Sequence, residues 1–274
     1  MQAASREAYA AAAERLEAYL GQAGDPAAIA AVAADLASVA DLLRREPRLR
    51  RVLSDPARAG ADRSELINGV LTGKVSPAAA EIVAGVVADR WSAPSELLNA
   101  LERLSVSALL ASADVVGDLG EVEDELFRFG QVVDANPALS TVLADRNAPI
   151  AQRAELVRSL LAGKAKPATV SLAEMALAGF GGRSFAGALT KLVELAAERR
   201  EKRVAYVTVA APLDEAEEQR LGAKLSQLYG RDVTVKQTVD PSVLGGMSVQ
   251  VGADLYDGTV LRRLTETRNA LAKR

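Results

Sequence analysis

From Glu7 to about Arg203 the apolar side chains recur every three or four residues, the spacing that lines one face of an α-helix. Ala12, Leu16 and Leu20 form one such stripe, and Val32, Leu36, Val39 and Leu43 form the next. Turn signals such as Gly24-Asp25-Pro26 and Ser76-Pro77 cut the pattern into separate helices, because proline suits a first helical turn and not a helix interior. Near Arg203 the period changes to two. "RVAYVTVAAP" sets Val204, Tyr206 and Thr208 on one face and Ala205, Val207 and Val209 on the other, which predicts a strand. A helix follows, with Asp214 and Glu217 at the spacing of a capping box, Leu221, Leu225 and Leu228 as its stripe, and Gly230 as its terminating glycine. "DVTVKQTV" and "GMSVQVGADLY" are two further strands. Asp257 is expected to cap a last helix carrying Val260, Leu261, Leu264, Arg268 and Leu271.

The helical part is written twice. At a constant offset of 90, Pro47 faces Pro137, Leu49 faces Leu139, Val52-Leu53 face Val142-Leu143, and Asp55 faces Asp145. Arg63 then faces Arg153, Glu65-Leu66 face Glu155-Leu156, and "LTGKVSPA" (71–78) faces "LAGKAKPA" (161–168). About fourteen identities in a gapless window of about 32 residues mark an internal repeat. Val32 and Leu36 extend it upstream to Val122 and Leu126. Downstream it slips by one, so that Leu98, Leu101 and Leu104 face Leu189, Leu192 and Leu195. The expected architecture is mainly α: an extra helical bundle over 1–115, its homologue over 116–203, and a small α/β module over 204–274.

Composition narrows the chemistry. The 274 residues are 49% hydrophobic and 25% charged, sufficient for a sizeable core, and only 4% are aromatic. A net charge of −3 gives no overall footprint for nucleic acid. Cysteine and histidine are both absent, which removes disulfides, thiolate nucleophiles and the commonest general base and metal ligand. The first twenty residues scatter Arg6, Glu7, Glu14, Arg15 and Glu17 among alanines and read as an amphipathic helix, not a signal peptide. No apolar run approaches the ~18–20 residues of a membrane span, so any membrane association is expected to run through a partner.

Two glycine-rich segments invite a phosphate-binding reading and fail it. A Walker loop needs G-x-x-x-x-G-K-[ST] after a strand. Gly69 stands one residue too close to Gly73-Lys74, Val75 replaces the hydroxyl, and the second copy, Gly163-Lys164, has Ala165 there. Gly73 and Gly163 are better read as helix-terminating glycines, with Pro77 and Pro167 opening the next helices. "GFGGRSFAG" (179–187) falls between helices and is expected to be a turn. "RREPRLRR" (44–51) carries five arginines where its repeat counterpart "DANPALST" has none; a solvated helix end is preferred over a nucleic-acid site, with an acidic protein partner between the two. "AAERREKR" (196–203) reads as solvated surface and Trp91 as a packing residue. No catalytic, cofactor-binding or metal-binding residues are assigned.

The C-terminal motifs, taken in order, resemble the δ subunit family of F-type ATP synthases, whose mitochondrial relative is the oligomycin sensitivity-conferring protein. They are Asp240-Pro241, Leu244-Gly245-Gly246-Met247 and Tyr256-Asp257-Gly258-Thr259-Val260, followed by Leu264 in a helix; Thr259 stands where the family pattern has serine. Asn136-Pro137-Ala138-Leu139 is similar to the family's N-terminal helical domain. The resemblance covers residues 118–274. Residues 1–115 depart from the usual single bundle and resemble the duplicated arrangement of actinobacterial members.

The resemblance implies a non-catalytic stator subunit of the peripheral stalk. It implies that the helical part holds the N-terminal helices of the α subunits and that the C-terminal module contacts the C-terminal end of the stalk b subunit. No nucleic acid, cofactor or direct membrane insertion is implied. The location implied is the cytoplasmic face of the plasma membrane, peripheral through the ATP synthase complex. The alternative from the repeat alone is a generic α-helical repeat adaptor unrelated to ATP synthase.

Overall fold

The computed structural model describes residues 2–201, 204–229, 233–240, 243–251, 254–260 and 262. The chain divides into two compact units, Met1–Ala196 and Ala197–Arg274. The expected C′ glycine Gly230 and the last helical stripe at Leu261, Leu264, Arg268 and Leu271 lie outside the described residues.

The first unit is helical. Its order is α1 (Ala3–Gln22), α2 (Pro26–Arg45), α3 (Pro47–Leu53), α4 (Gly60–Leu71), α5 (Pro77–Ala88) and α6 (Pro94–Val115). Then come α7 (Leu119–Ala135), α8 (Pro137–Ala144), α9 (Ile150–Leu161), α10 (Pro167–Leu177), a 3₁₀ turn at Phe180–Gly182, and α11 (Phe185–Glu201). Proline opens α2, α3, α5, α6, α8 and α10, where its missing N–H is no loss. Side-chain caps reinforce three of these starts: Asp25 accepts from Ala27 N at 2.9 Å, Ser76 from Ala79 N at 3.3 Å, and Asn136 from Leu139 N at 3.1 Å.

The repeat seen in the sequence is a repeat of structure. Shifted by 90, α3, α4 and α5 fall on α8, α9 and α10, and α2 falls on the span of α7. Shifted likewise, α1 (3–22) falls on α6 (94–115), so α6 closes the first copy and opens the second. The burial of α6 fits that double duty. Between Leu97 and Asp114 every residue is buried except Asn99, Arg103 and Ser107, which are half-buried. One continuous hydrophobic core, from Ala8 to Ala196, serves both copies, and Leu36, Leu43, Leu101, Leu104 and Leu126 are fully enclosed in it.

α2 departs from the expectation that no segment matches a membrane span. Its twenty residues are, by length and composition, apolar enough to cross a bilayer. Its alanines, which interrupt any run of large side chains, nevertheless carry a high mean hydropathy. Ile29, Val32, Ala33, Leu36, Val39, Ala40 and Leu43 are all buried in the core, which makes α2 a core helix here.

The second unit holds β1 (Val204–Val209), α12 (Glu215–Tyr229), β2 (Thr234–Val239), β3 (Met247–Val251) and β4 (Asp254–Asp257). The sheet order is β2-β1-β3-β4, with β1 and β2 parallel across the α12 crossover and the other pairs antiparallel. "GMSVQVGADLY", expected as one strand, is two: Val251 pairs with Asp254, so the chain folds back and a four-stranded sheet replaces the expected three. Ala205, Val207, Val209, Val249 and Val251 pack with Leu225 in a separate core, while Tyr206 is 51% exposed on the other face of the strand. The expected capping box is present: Glu217 N donates to Asp214 at 2.7 Å and Asp214 N to Glu217 at 3.1 Å.

Candidate functional site

Both Gly-Lys pairs end helices. Gly73 has φ +70° and Gly163 φ +66°, left-handed conformations that favour glycine. Lys74 N reaches back to Leu71 O at 2.9 Å, and Lys164 N to Leu161 O at 3.0 Å. Both lysines are exposed, and their own amides are engaged in helix termination, so neither loop is arranged to cradle a phosphate.

A second shared device follows each pair. The N–H just before the helix-opening proline donates to a carboxylate of the facing helix: Ser76 N to Asp35 at 2.8 Å in the first copy, Lys166 N to Glu125 at 2.9 Å in the second. The lysine side chain of the second copy also meets Glu121 at 2.8 Å and Asp118 at 3.1 Å. The hydrogen bond to Glu121 contributes most to raising its pKa to about 12.

The glycine-rich segment 179–187 is a turn only as far as Ser184, where it runs into α11, and it binds an anion that is internal. Gly179, Gly181 and Gly182 all have positive φ, and Gly181 N donates to the buried Glu102 carboxylate of α6 at 2.8 Å. The other Glu102 oxygen receives Arg44 at 2.7 Å, and Arg44 also meets Asp41 at 3.1 Å. Arg44 is thus a structural tie between α2 and α6, more than the solvated end expected of residues 44–51. Arg50, half-buried, caps the Leu43 carbonyl at 3.3 Å. Arg48 and Arg51 are exposed, as expected. Trp91 is 2% exposed and donates to Val86 O at 2.7 Å, a packing residue as its setting in the sequence suggested.

The helical unit carries a trough with α6 as floor and α2 and α10 as walls. It comprises adjoining cavities of about 330 and about 320 Å³ that share Ala34, Ser171 and Met175. Ala30, Ala34 and Ala37 line the α2 wall at helical spacing, a stripe of small residues that was readable in the sequence but could not be placed without the fold. The charges around it are compensated: Arg45 meets Asp41 at 2.6 Å and Glu174 meets Arg158 at 3.1 Å. Among the described residues no group of three or more carboxylates could hold a metal ion. The trough offers shape and apolar surface.

In the second unit the motif residues converge. Gly245 (φ +112°) and Gly246 (φ +79°) bring the start of β3 against the segment after β4. A side chain at Gly246 would place its Cβ 2.5 Å from Gly258 O. Gly258 N donates to Met247 O at 2.9 Å, and Val260 N to Gly245 O at 3.0 Å. Asp257 accepts from Thr259 N at 3.0 Å, the bond that holds its pKa below the ordinary aspartate value. Thr259 Oγ1 in turn accepts from Arg262 N at 3.4 Å, so the capping role expected of Asp257 passes to Thr259. A family profile described as ATP synthase delta (OSCP) subunit matches residues 106–271, which spans the second helical copy and this junction. The chain belongs to the ATP synthase delta (OSCP) family. Proteins named ATP synthase subunit delta match beyond that span. The one from Salinispora arenicola is 67% identical over 100% of both chains, and that from Streptomyces griseus is 45% identical over 99% of this chain and 100% of its own. The one from Frankia casuarinae is 43% identical over 100% of both. These matches take in the first helical copy, so the duplicated form resembled in the sequence is the form these relatives share. An adaptor unrelated to ATP synthase is set aside by that membership.

Proposed function

We propose that the chain is a non-catalytic stator subunit of an F-type ATP synthase, joining the catalytic head to the b stalk and resisting rotor torque during proton-driven synthesis. Membership of the delta (OSCP) family across the full chain is the observation that carries this reading. The helical unit supports it with an apolar trough of paired charges, a surface suited to an amphipathic partner helix such as the α-subunit N-termini. The C-terminal module, with its own core, is assigned to the end of b. The complex would hold the chain at the cytoplasmic face of the plasma membrane without inserting it. Of the two copies, the second or the pair together takes the α-subunit helices, and the first adds a contact to head or stalk. The trough favours the pair, because residues of both copies line it.

Co-purification tests the proposal. Deleting residues 204–274 should release the chain from b while the helical unit keeps its α-subunit contacts. A truncated chain that still retains b undiminished refutes the assignment of the module. Crosslinks to the α N-termini exclusively from residues 1–110 would refute the assignment of the copies.

A further inference from the structure

We propose that the α3 edge of the first helical copy is an electrostatic docking surface for an acidic segment of a partner protein. Residues 41–58 hold six arginines against Asp41, Glu46 and Asp55, in a chain whose net charge is −3. Three of those arginines serve the fold or are neutralised: Arg44 by Glu102 and Asp41, Arg45 by Asp41, and Arg50 at the Leu43 carbonyl. The other three are uncommitted. Arg48, Arg51 and Arg58 are exposed, and among the described residues their side chains have no carboxylate partner or hydrogen bond. Arg48 and Arg51 stand three apart on α3 and therefore share a face, and Arg58 lies in the turn that leads out of it.

The second copy shows that the fold does not require these charges. Its α8 and following turn carry Ala138, Thr141 and Ala148 at the three corresponding positions, and the helices on either side keep their places. Basic residues that a homologous copy dispenses with, and that bind nothing within the chain, point outward to a ligand.

The surroundings select among polyanions. No Phe, Tyr or Trp occurs between residues 41 and 60, so there is no platform on which bases could stack. Of the large apolar side chains exposed among the described residues, Leu66 and Val115 lie in the first copy and neither belongs to α3 or the turn after it, so the arginines have no apolar neighbour on that edge suited to a lipid interface. Three guanidinium groups suit the carboxylates of a short acidic stretch, which each can hold bidentately.

The test uses the full chain and a fluorescent hexaglutamate peptide, followed by anisotropy at low and at physiological salt. The variant Arg48→Ala/Arg51→Thr/Arg58→Ala installs the second copy's own residues, so it retains the fold. A control, Lys74→Ala/Lys164→Ala/Arg128→Ala, removes the same charge elsewhere. Peptide affinity should fall about tenfold or more in the first variant and less than about twofold in the control, as expected for losing three exposed charge pairs. Equal losses in both would reduce the effect to net charge and overturn the proposal. So would absence of peptide binding at low salt, or a preference for phosphatidylserine vesicles or oligothymidylate over the peptide. The inference stands apart from the stator reading and is not overturned if that reading fails.

Discussion

Each helical copy buries one arginine, and the two should differ in what they contribute. Arg63 is 4% and Arg153 6% exposed, at positions 90 apart. Neither meets a carboxylate; both are held by carbonyls at helix C-termini, where the helix dipole places partial negative charge. Arg63 donates to Asp55 O at 2.9 Å, Ala88 O at 2.8 Å and Asp89 O at 3.2 Å, tying the ends of α3 and α5 to α4. Arg153 reaches only Leu143 O at 3.0 Å and Leu177 O at 3.4 Å. The difference has a visible cause. Gly60 opens α4 against the end of α5, where an added Cβ would lie 2.7 Å from Ala88 O. Its counterpart Ile150 has a branched side chain that cannot approach so closely.

Arg63→Met therefore removes three charge-assisted bonds and leaves terminal carbonyls under a core side chain, partly offset by no longer desolvating a cation. The net cost should be about 3–5 kcal/mol. Arg153→Met, with one good bond and one long one, should cost about 1–3 kcal/mol. Urea unfolding followed by Trp91 fluorescence reads this directly, because the single tryptophan is buried just after Asp89. At ~2–4 °C per kcal/mol for a unit of this size, Arg63→Met should lower Tm by about 10 °C. Equal costs for the two variants, or a loss below about 1 kcal/mol at Arg63, would refute the carbonyl-staple account.

The glycine pair of the C-terminal module gives a second expectation: Gly246→Ala should destabilise that unit by about 2–4 kcal/mol, from its positive φ and the blocked approach to Gly258. Hydrogen exchange should then quicken across β3 and β4 while Trp91 fluorescence unfolding stays unchanged. Glu102→Ala leaves Gly181 N without its acceptor and Arg44 with Asp41 alone, and should cost about 2–4 kcal/mol, with faster exchange at residues 179–183 as its local signature. For Asp257 the folded pKa is depressed, so its contribution is present above the ordinary aspartate value and is lost as pH falls through the lower folded value. An NMR titration should show its carboxyl titrating below a free aspartate, and Thr259→Val should move that titration upward.

Much of the helical unit was legible because its signals are local and redundant. A proline at a helix start, a glycine at φ near +70° after a helix and a stripe of apolar residues each follow from one residue's own geometry, and the repeat states most of them twice. What the sequence concealed depends on residues far apart in the chain. Arg44 looked solvated because Glu102, 58 positions away, is its partner. "GFGGRSFAG" looked like a bare turn because the carboxylate it binds belongs to α6. The β3–β4 antiparallel pairing was hidden in an unbroken alternation, since one long strand and two successive strands share the same period. The trough was invisible for the same reason: small residues on α2 line a groove only once α10 stands opposite them.

α6 explains why the duplication yields one helical body. A tandem repeat with a flexible link would need a helix at the end of the first copy and another at the start of the second. Here a single helix occupies both positions, and its side chains face both sets of neighbours, so nearly its whole circumference is buried. Leu101 and Leu104 are at full burial within it, and a change there disturbs the packing of both copies at once. Such a body transmits force between its two ends through packed side chains, with no linker to bend. For a part proposed to hold a catalytic head still against a turning rotor, sharing that helix is a direct physical route to stiffness. The copies are joined by a core, and Arg44, Glu102 and Gly181 then clasp its surface from α2 across α6 to the glycine turn.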